Sequence, residues 1–579
     1  MSMPRDRLTW IVVPIAAIGL ILTIYWQQQE AARVRAEAYA NQPVTPPQAS
    51  ATPSTTPLGV TAQPSPTPAQ PEVPEQSASL KSDVAKLDFS NLLGGLTQIE
   101  LQHYKAEDDQ PVTLSSDRAP AIGAISRNPS DWQDSGYALT DDQENNSVTL
   151  TKDLGNNIQV TKTYTAGKSA GLQDPFQLKL TIEFKNTGGA AVDVPGFFVN
   201  TGAAQPIHGN DRSTYTTFGW DHESKYQNVS VDWFGPSSFL FFQTSGGHDI
   251  YSETGNQISW AAVSDQYFTT ILQSKDKSAG QVWAKRYPLS DDPSQRAAWR
   301  IDGALGFPGF NLQPGETKSK EFVVYSGPKE YGRLSKLDDD LTAVLNFGLP
   351  FGPISTGLLI MMNTIHAFVG SYGLSILLMT MIIRGAVWPI QNVSMKSMRK
   401  MAKLSPLINE LKAKYKDDQQ RMNQEMMKLY KEYKINPLAG CLPMLIQIPI
   451  FFAFYQMLGS AVELRDSSFL WVRDLSQPDT VAHIFGFPLN IIPLVSAATQ
   501  VWQLQITPKT GDASQQRILL IMPIVFLFIC YNFAAALSLY YTASNLFTIV
   551  QTYLTMKQTA PDLPKPVKAP AVAKKKSYR

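Results

Sequence analysis

Between residues 354 and 550 the chain keeps returning to long uncharged apolar runs, and this crowding limits what it can fold into. About 20 apolar residues make a helix long enough to cross a hydrocarbon layer about 30 Å thick. Spans read at 372–390, 437–459 and 487–506. The run 518–550 is too long for one crossing and divides near Asn532–Ala536 (NFAAA) into two short helices. Residues 354–390 as one helix would measure roughly 55 Å, also too long for a bilayer. Gly370, Ser371 and Gly373 divide it, so the part up to Phe368 is expected to lie as an amphipathic helix in the outer interface. Within the part that follows sits a single charge, Arg384, in LLMTMIIRGAVWPI. An arginine at bilayer depth costs at least a few kcal/mol. It either snorkels past the helix end at Ile390 or faces a wet cavity between helices.

The N-terminal end adds one more span. Residues 8–26 carry no charge and follow Arg5 and Arg7, which predicts an anchor over 1–28 with a cytoplasmic N-terminus. A cleaved signal peptide is the rival reading. The run is long for a signal core, and the cleavage-like Ala38-Tyr39-Ala40 lies well past its end. Residues 29–84 are rich in Pro, Ser, Thr, Ala and Gln, which predicts an extended linker with no core.

From 85 to 335 the period changes to two. In PFQLKLTIEF, Phe176, Leu178, Leu180, Ile182 and Phe184 alternate with polar residues, as in a half-buried strand. Similar short strands recur at NNIQVTKTYT, SSFLFFQ, QYFTTIL and KEFVVYSG between turn residues, which predicts an all-β sandwich. Gly167-Lys168-Ser169 imitates the end of a phosphate loop. Lys162 stands where that motif needs glycine, so no nucleotide site is read there.

The fold class is therefore a multi-pass α-helical membrane protein plus an all-β sandwich domain. It has six spans, five of them clustered in the C-terminal half, and both ends inside. Charge agrees with this. Segment 391–436 holds eleven basic and five acidic residues, and segment 460–486 holds two and four. The positive-inside rule puts the first in the cytoplasm and the second outside. Residues 336–370 form the interfacial region, 371–556 the five-helix core and 557–579 a basic cytoplasmic tail.

Two constellations could carry a function. The first is polar groups inside the spans. Thr380 lies one turn from Arg384, and Gln447, Thr499, Gln500, Gln503, Ser538, Tyr540, Tyr541, Thr542 and Asn545 lie on the other spans. Each alone reads as an ordinary interhelical hydrogen bond; together they imply helices facing one another or water. The second is the cytoplasmic segment 392–435. Two amphipathic stretches separated by KDDQQ predict a helical hairpin, with Met395, Met398, Met401, Met422, Met426 and Met427 inside it or offered to apolar partners. Cys441 and Cys530 sit in apolar stretches and read as small buried hydrophobes. No ATP loop, nucleophile–base pair, redox motif or metal-ligand spacing is found, so neither cofactor nor enzymatic activity is expected.

The segments MTMIIRGAVWPI, QEMMKLYKEYKINPLAGCLPMLIQIPIFFAFYQML, VELR…FLWVRDLS and LYYTASNLFTIVQTYL, with their spacing, resemble the YidC family of membrane protein insertases in its long Gram-negative form. The resemblance is most specific over 350–555. SWAAVSDQYFTTIL and VVYSGPKEY resemble the family's periplasmic domain more loosely, and FAAAL at 533–537 departs from the expected Pro-Ser-Gly-like turn. The resemblance implies a bacterial inner-membrane protein that inserts and folds nascent membrane proteins, alone or beside the Sec translocon, without nucleotide hydrolysis. It implies a hydrophilic groove containing Arg384, with Thr380 and Tyr541 touching substrate. It also implies contact with membrane lipids, a ribosome held through the basic tail and loops, and a monomer. Two rivals are a transporter or channel with a solute-capturing β domain, and an anchored polysaccharide-binding or polysaccharide-cleaving enzyme. No repeat relates the two halves, which counts against the first.

Overall fold

The computed structural model describes residues 74–558 apart from short gaps, of which 290–297, 436–441 and 509–512 are the longest. The N-terminal span, most of the linker, Cys441, Lys168-Ser169 and the tail beyond 558 lie outside the described residues. The described chain forms two compact units, divided between Leu345 and Asn346.

The first unit is a β-sandwich with an added small sheet. A nine-stranded antiparallel sheet runs in the order Lys225–Ser230, Thr217–His222, Trp260–Ser264, Phe268–Ser274, Thr317–Pro328, Gln177–Asn186, Ile158–Ala166, Ser147–Asp153, Ala138–Asp142. A five-stranded sheet runs Tyr251–Ile258, Ala279–Pro288, Trp299–Phe307, Phe197–Ala204, Ile125–Ser126. Phe218 of the larger sheet lies over Gly303 of the smaller, where a Cβ would strike its ring, so Gly303 sets how closely the layers approach. Phe176, Leu178, Leu180, Ile182 and Phe184 are all buried, as their alternation predicts.

The β architecture begins earlier than the composition suggests. Ser77–Lys81, inside the stretch read as linker, pairs with Ala85–Ser90 and buries Ala78 and Leu80. Five residues with two apolar positions are too few to stand out beside a Pro-rich tract. The unit also runs past 335, through the short helix α1 (Tyr331–Leu337) and a 3-10 turn Asp339–Leu345.

Lys162 is fully buried and ion-pairs with Asp134 at 2.5 Å. Its ammonium also donates to the Gly94 carbonyl at 2.6 Å and lies over the Tyr137 ring. Asp134 further accepts from the Ile125 amide and the Tyr137 hydroxyl, both at 2.7 Å. The lysine that disqualifies the phosphate-loop reading is thus a satisfied core charge.

Two other buried acids carry a pH dependence. Burial pushes the Asp265 and Asp302 carboxyls up to about 6 from an ordinary 3.8, against the opposing pull of Lys329 and Arg300. The fold therefore prefers their protonated forms. That contribution is complete below pH 3.8 and lost as pH rises through 6. Urea unfolding followed by tryptophan fluorescence is expected to show Asp265→Asn with a shallower stability loss than wild type as pH rises from 3.8 to about 6.

The second unit is helical. Its helices are α2 (Gly352–Val369), α3 (Tyr372–Lys414), α4 (Gln419–Glu432), α5 (Leu442–Leu458), α6 (Ile491–Ile506), α7 (Ala513–Cys530) and α8 (Ala535–Lys557). Among the described residues α2 and α3 are long and apolar enough to cross a membrane, while 445–458 and 521–530 are shorter apolar helices. The division at 370–373 occurs as predicted. Gly370 ends α2 with φ +68, and the Ser371 hydroxyl caps α3.

Two boundaries differ from expectation. α3 does not stop at Ile390 but runs 43 residues through Pro389 and Pro406 into the first arm of the hairpin. A proline removes one helical hydrogen bond, and neighbouring turns carry the helix past it. Residues 487–490 are a strand paired with Thr480–Ile484, so α6 begins only at Ile491. The apolar character of 487–490 therefore belongs to a hairpin. The break near NFAAA does occur, and the chain supplies its own cap there: the Ala535 and Ala536 amides donate to the Gln477 and Leu475 carbonyls at 2.8 and 3.0 Å.

Candidate functional site: a cavity around Arg384

On α3 the residues Thr380, Arg384, Val387 and Gln391 recur at four, three and four positions, so one helix face carries them all. This face meets Ile446, Gln447 and Ile450 of α5 and Tyr540 of α8 around a small cavity. Arg384 is half-buried at its wall and donates to the Ser544 hydroxyl of α8. No carboxylate pairs with it among the described residues. Gln447 donates to the Tyr540 hydroxyl at 3.1 Å, and Phe454 stacks on the Tyr540 ring at 3.8 Å, which fixes that phenol at the cavity edge. The Gln391 side-chain carbonyl is buried without a partner. The wall thus combines one positive charge, several hydrogen-bonding groups and apolar isoleucines. It can receive a polar or acidic group while keeping an apolar flank.

α3 and α8 run parallel and are tied along their length. Below Arg384–Ser544, Gln551 donates to the Trp388 carbonyl at 3.5 Å and Thr555 to Asn392 at 3.1 Å. Arg399, one of the eleven basic residues counted above, is buried. It donates to the Thr555 and Gln558 carbonyls, both at 2.8 Å. It caps the C-terminal end of α8, where carbonyls lack helical partners and a cation is favoured. Arg399→Ala is expected to speed amide exchange in the last turn of α8 roughly tenfold or more, and Arg399→Lys to restore only part, since a shorter side chain with a point charge lacks the planar fork that reaches both carbonyls at once. Hydrogen exchange with mass spectrometry on the intact protein reads both.

Other expected groove residues take different places. Tyr541 is adjacent in sequence to Tyr540 but turns about 100° away around the helix. Its ring packs on Phe451 and Phe526 and lines a second cavity with Pro493, Ser496, Cys530 and Ser538. Asn545 donates to the Ser496 carbonyl and to Thr499, both at 3.2 Å, and joins α8 to α6. Gln500 is half-exposed and lines neither cavity. Thr380 is buried at the cavity wall, its hydroxyl bonded to the Ile376 carbonyl. Ser544 and Gln391 were missed. The seven-residue spacing from Arg384 would have found Gln391; nothing local marks Ser544.

In the hairpin, Asp418 caps α4 by accepting from the Arg421 amide at 3.0 Å. Met422 is buried, Met395, Met398, Met401 and Met426 are half-buried, and Met427 is exposed. Most of the methionines face the protein and one faces outward.

Comparison with known proteins decides the family. The sequence profile described as the YidC periplasmic domain matches residues 77–359, and that of the 60Kd inner membrane protein matches 364–562. A membrane protein insertase YidC of Geobacter sulfurreducens is 30% identical over 487 residues, covering 80% of this chain and 83% of the relative. The chain belongs to the YidC family of membrane protein insertases. A YidC of Nitratidesulfovibrio vulgaris is 33% identical over 345 residues, 58% of this chain, and the match spans 61% of that relative's length. A solved structure of an active YidC insertase with its first transmembrane domain resolved is 17% identical, with a TM-score of 0.35, over 84% of this chain and 93% of that one. Within the YidC family, the β unit is the periplasmic domain and the helical unit the inner-membrane part.

Proposed function

We propose that this chain inserts and folds other membrane proteins in the bacterial inner membrane, through the cavity around Arg384 and without hydrolysing nucleotide. The observation that carries the reading is a positively charged side chain, unpaired by any described carboxylate, on the wall between α3, α5 and α8. A charge left so at bilayer depth is a functional group by default. The cavity attracts the acidic or polar flank of an incoming chain and gives it a stop partway through the hydrocarbon. That lowers the cost of desolvating its polar groups. The adjoining apolar segment then moves into lipid, driven by burial of its apolar surface.

In this reading α3, α5, α6, α7 and α8, with the N-terminal anchor, make six crossings with both ends in the cytoplasm. Helix α2 lies in the outer interface. The α3–α4 hairpin receives the chain, the basic tail and loops hold a ribosome, and the Sec translocon shares some substrates. The working unit is a monomer. Thr380, Gln447 and Tyr540 contact substrate beside Arg384. Tyr541, Gln500 and Asn545 act from the α6 side. The exposed Met427 contacts the arriving chain, and the other five methionines shape the hairpin.

The test is reconstitution. The purified protein alone in liposomes is supplied with a single-spanning substrate bearing an acidic N-terminal tail. Protease protection of the tail above that in empty liposomes is the expected result; protection equal to empty liposomes removes the reading.

A further inference from the structure

The hairpin at 480–490 takes no part in the groove. Thr480–Ile484 pairs antiparallel with Phe487–Asn490 in the register Thr480↔Asn490, His483↔Pro488, Ile484↔Phe487. Every residue of the first strand is exposed. Phe485 is 98% exposed, Phe487 77% and Ile484 51%.

The base, by contrast, is fixed. Thr480 donates to the Asn490 side chain at 2.7 Å, Asn490 to the Tyr531 carbonyl at 2.8 Å, and the Tyr531 hydroxyl to the Pro488 carbonyl at 2.7 Å. Asp479 accepts from the Ile491 and Ile492 amides at 3.0 and 2.7 Å and from the Trp471 indole at 3.3 Å. The tip is therefore held out from a clamped stem.

Phe485 has φ +52. At that place in a two-residue hairpin loop Asn or Gly is usual, so turn geometry does not account for an aromatic side chain. A lone two-stranded hairpin is marginal in water, and an exposed apolar tip there is a liability. Two features point to lipid as what covers it. From Thr480 to Pro508 there is no Asp, Glu, Lys or Arg. The second strand runs without a linker into the apolar helix α6. The outer edges of the two-stranded ladder stay unpaired, so the strands fit the interfacial layer, where water and headgroups still reach them, and not the hydrocarbon centre.

We propose that the 480–490 hairpin dips into the bilayer, placing Ile484, Phe485 and Phe487 in the interfacial layer of the leaflet that α6 enters. The half-exposed Trp471 beside its base sits at headgroup level, where aromatic residues concentrate. This goes beyond the groove reading and stands whether or not Arg384 meets substrate.

The test places a nitroxide on Phe485→Cys in the full-length protein carrying Cys441→Ala and Cys530→Ala, in vesicles of phosphatidylethanolamine and phosphatidylglycerol. Collision with oxygen, which partitions into lipid, is compared with collision with a water-soluble nickel chelate. Leu154→Cys, exposed in the β unit, is the aqueous reference. The expected result is loss of nickel accessibility at 485 with high oxygen accessibility, the reverse at 154, and a return of nickel accessibility at 485 when Phe487→Asn is added. Nickel accessibility at 485 equal to that at 154 overturns the proposal. So does screening from both reagents, which means a protein partner or a second copy covers the tip. If removing the cysteines prevents folding, Phe485→Trp in the otherwise native chain is used with brominated lipids. Quenching of the added fluorescence supports the proposal, and its absence overturns it.

Discussion

Arg384→Glu is expected to abolish insertion of an acid-tailed substrate while leaving an uncharged-tail substrate largely unaffected. Two unit charges 4–8 Å apart at an effective dielectric of about 20 interact by about 2–4 kcal/mol, a factor of roughly thirty to a thousand in occupancy. Arg384→Ala loses the attraction but adds no repulsion, so its defect should be smaller and again confined to charged tails. Arg384→Lys keeps the charge and should keep most of the activity. Protease protection in the liposome assay, run on a matched pair of acidic and neutralised tails, gives all six values. Equal losses on both tails would mean that Arg384 holds α3 to α8 through Ser544 and does no electrostatic work on substrate.

The second large effect lies in the β unit. Asp134→Ala is expected to destabilise it by about 3–5 kcal/mol, because it strands a buried ammonium. It also deprives the Ile125 amide and the Tyr137 hydroxyl of their acceptor. Lys162→Met should cost less, since the carboxylate keeps those two donors. Hydrogen exchange of strand Ile158–Ala166 in the intact protein reads the order. A hundredfold or greater acceleration is expected for Asp134→Ala, by roughly 1.4 kcal/mol per factor of ten. An acceleration for Lys162→Met as large as that for Asp134→Ala would assign the energy to the ion pair and none to the other two hydrogen bonds.

Periodicity carried most of the architecture. Strand Gln177–Asn186 could be placed by its alternation alone, since a sheet with one buried face leaves an unambiguous pattern. The Gly370–Ser371 break and the NFAAA break were legible because long apolar helices must end somewhere within a bilayer's thickness. The run at 487–490 was not, because four apolar residues before a helix look like its first turn until their partner strand at 480–484 is known. At the site, the helical spacing of Thr380, Arg384 and Gln391 was available in the sequence, as was the divergence of Tyr540 from Tyr541. Their partners were not. Ser544 reaches Arg384 across 160 positions of chain, and a serine on an apolar helix carries no mark of what it will meet.

Helix α3 makes one rod of two regions that composition treats as separate. Its 43 residues measure about 65 Å along the helix, and the charged half belongs to the same helix as the half that holds Arg384. A displacement of α4 is therefore expected to pass along α3 to the cavity wall. Where the rod yields is set by chemistry: Pro389 and Pro406 each lack an amide hydrogen. Pro389 lies just over one turn beyond Arg384, so bending there tilts the charged wall relative to α5 while Arg399 keeps the far end clamped to α8. If the cavity is the insertion groove proposed above, the hairpin becomes the handle of a lever whose fulcrum lies beside it.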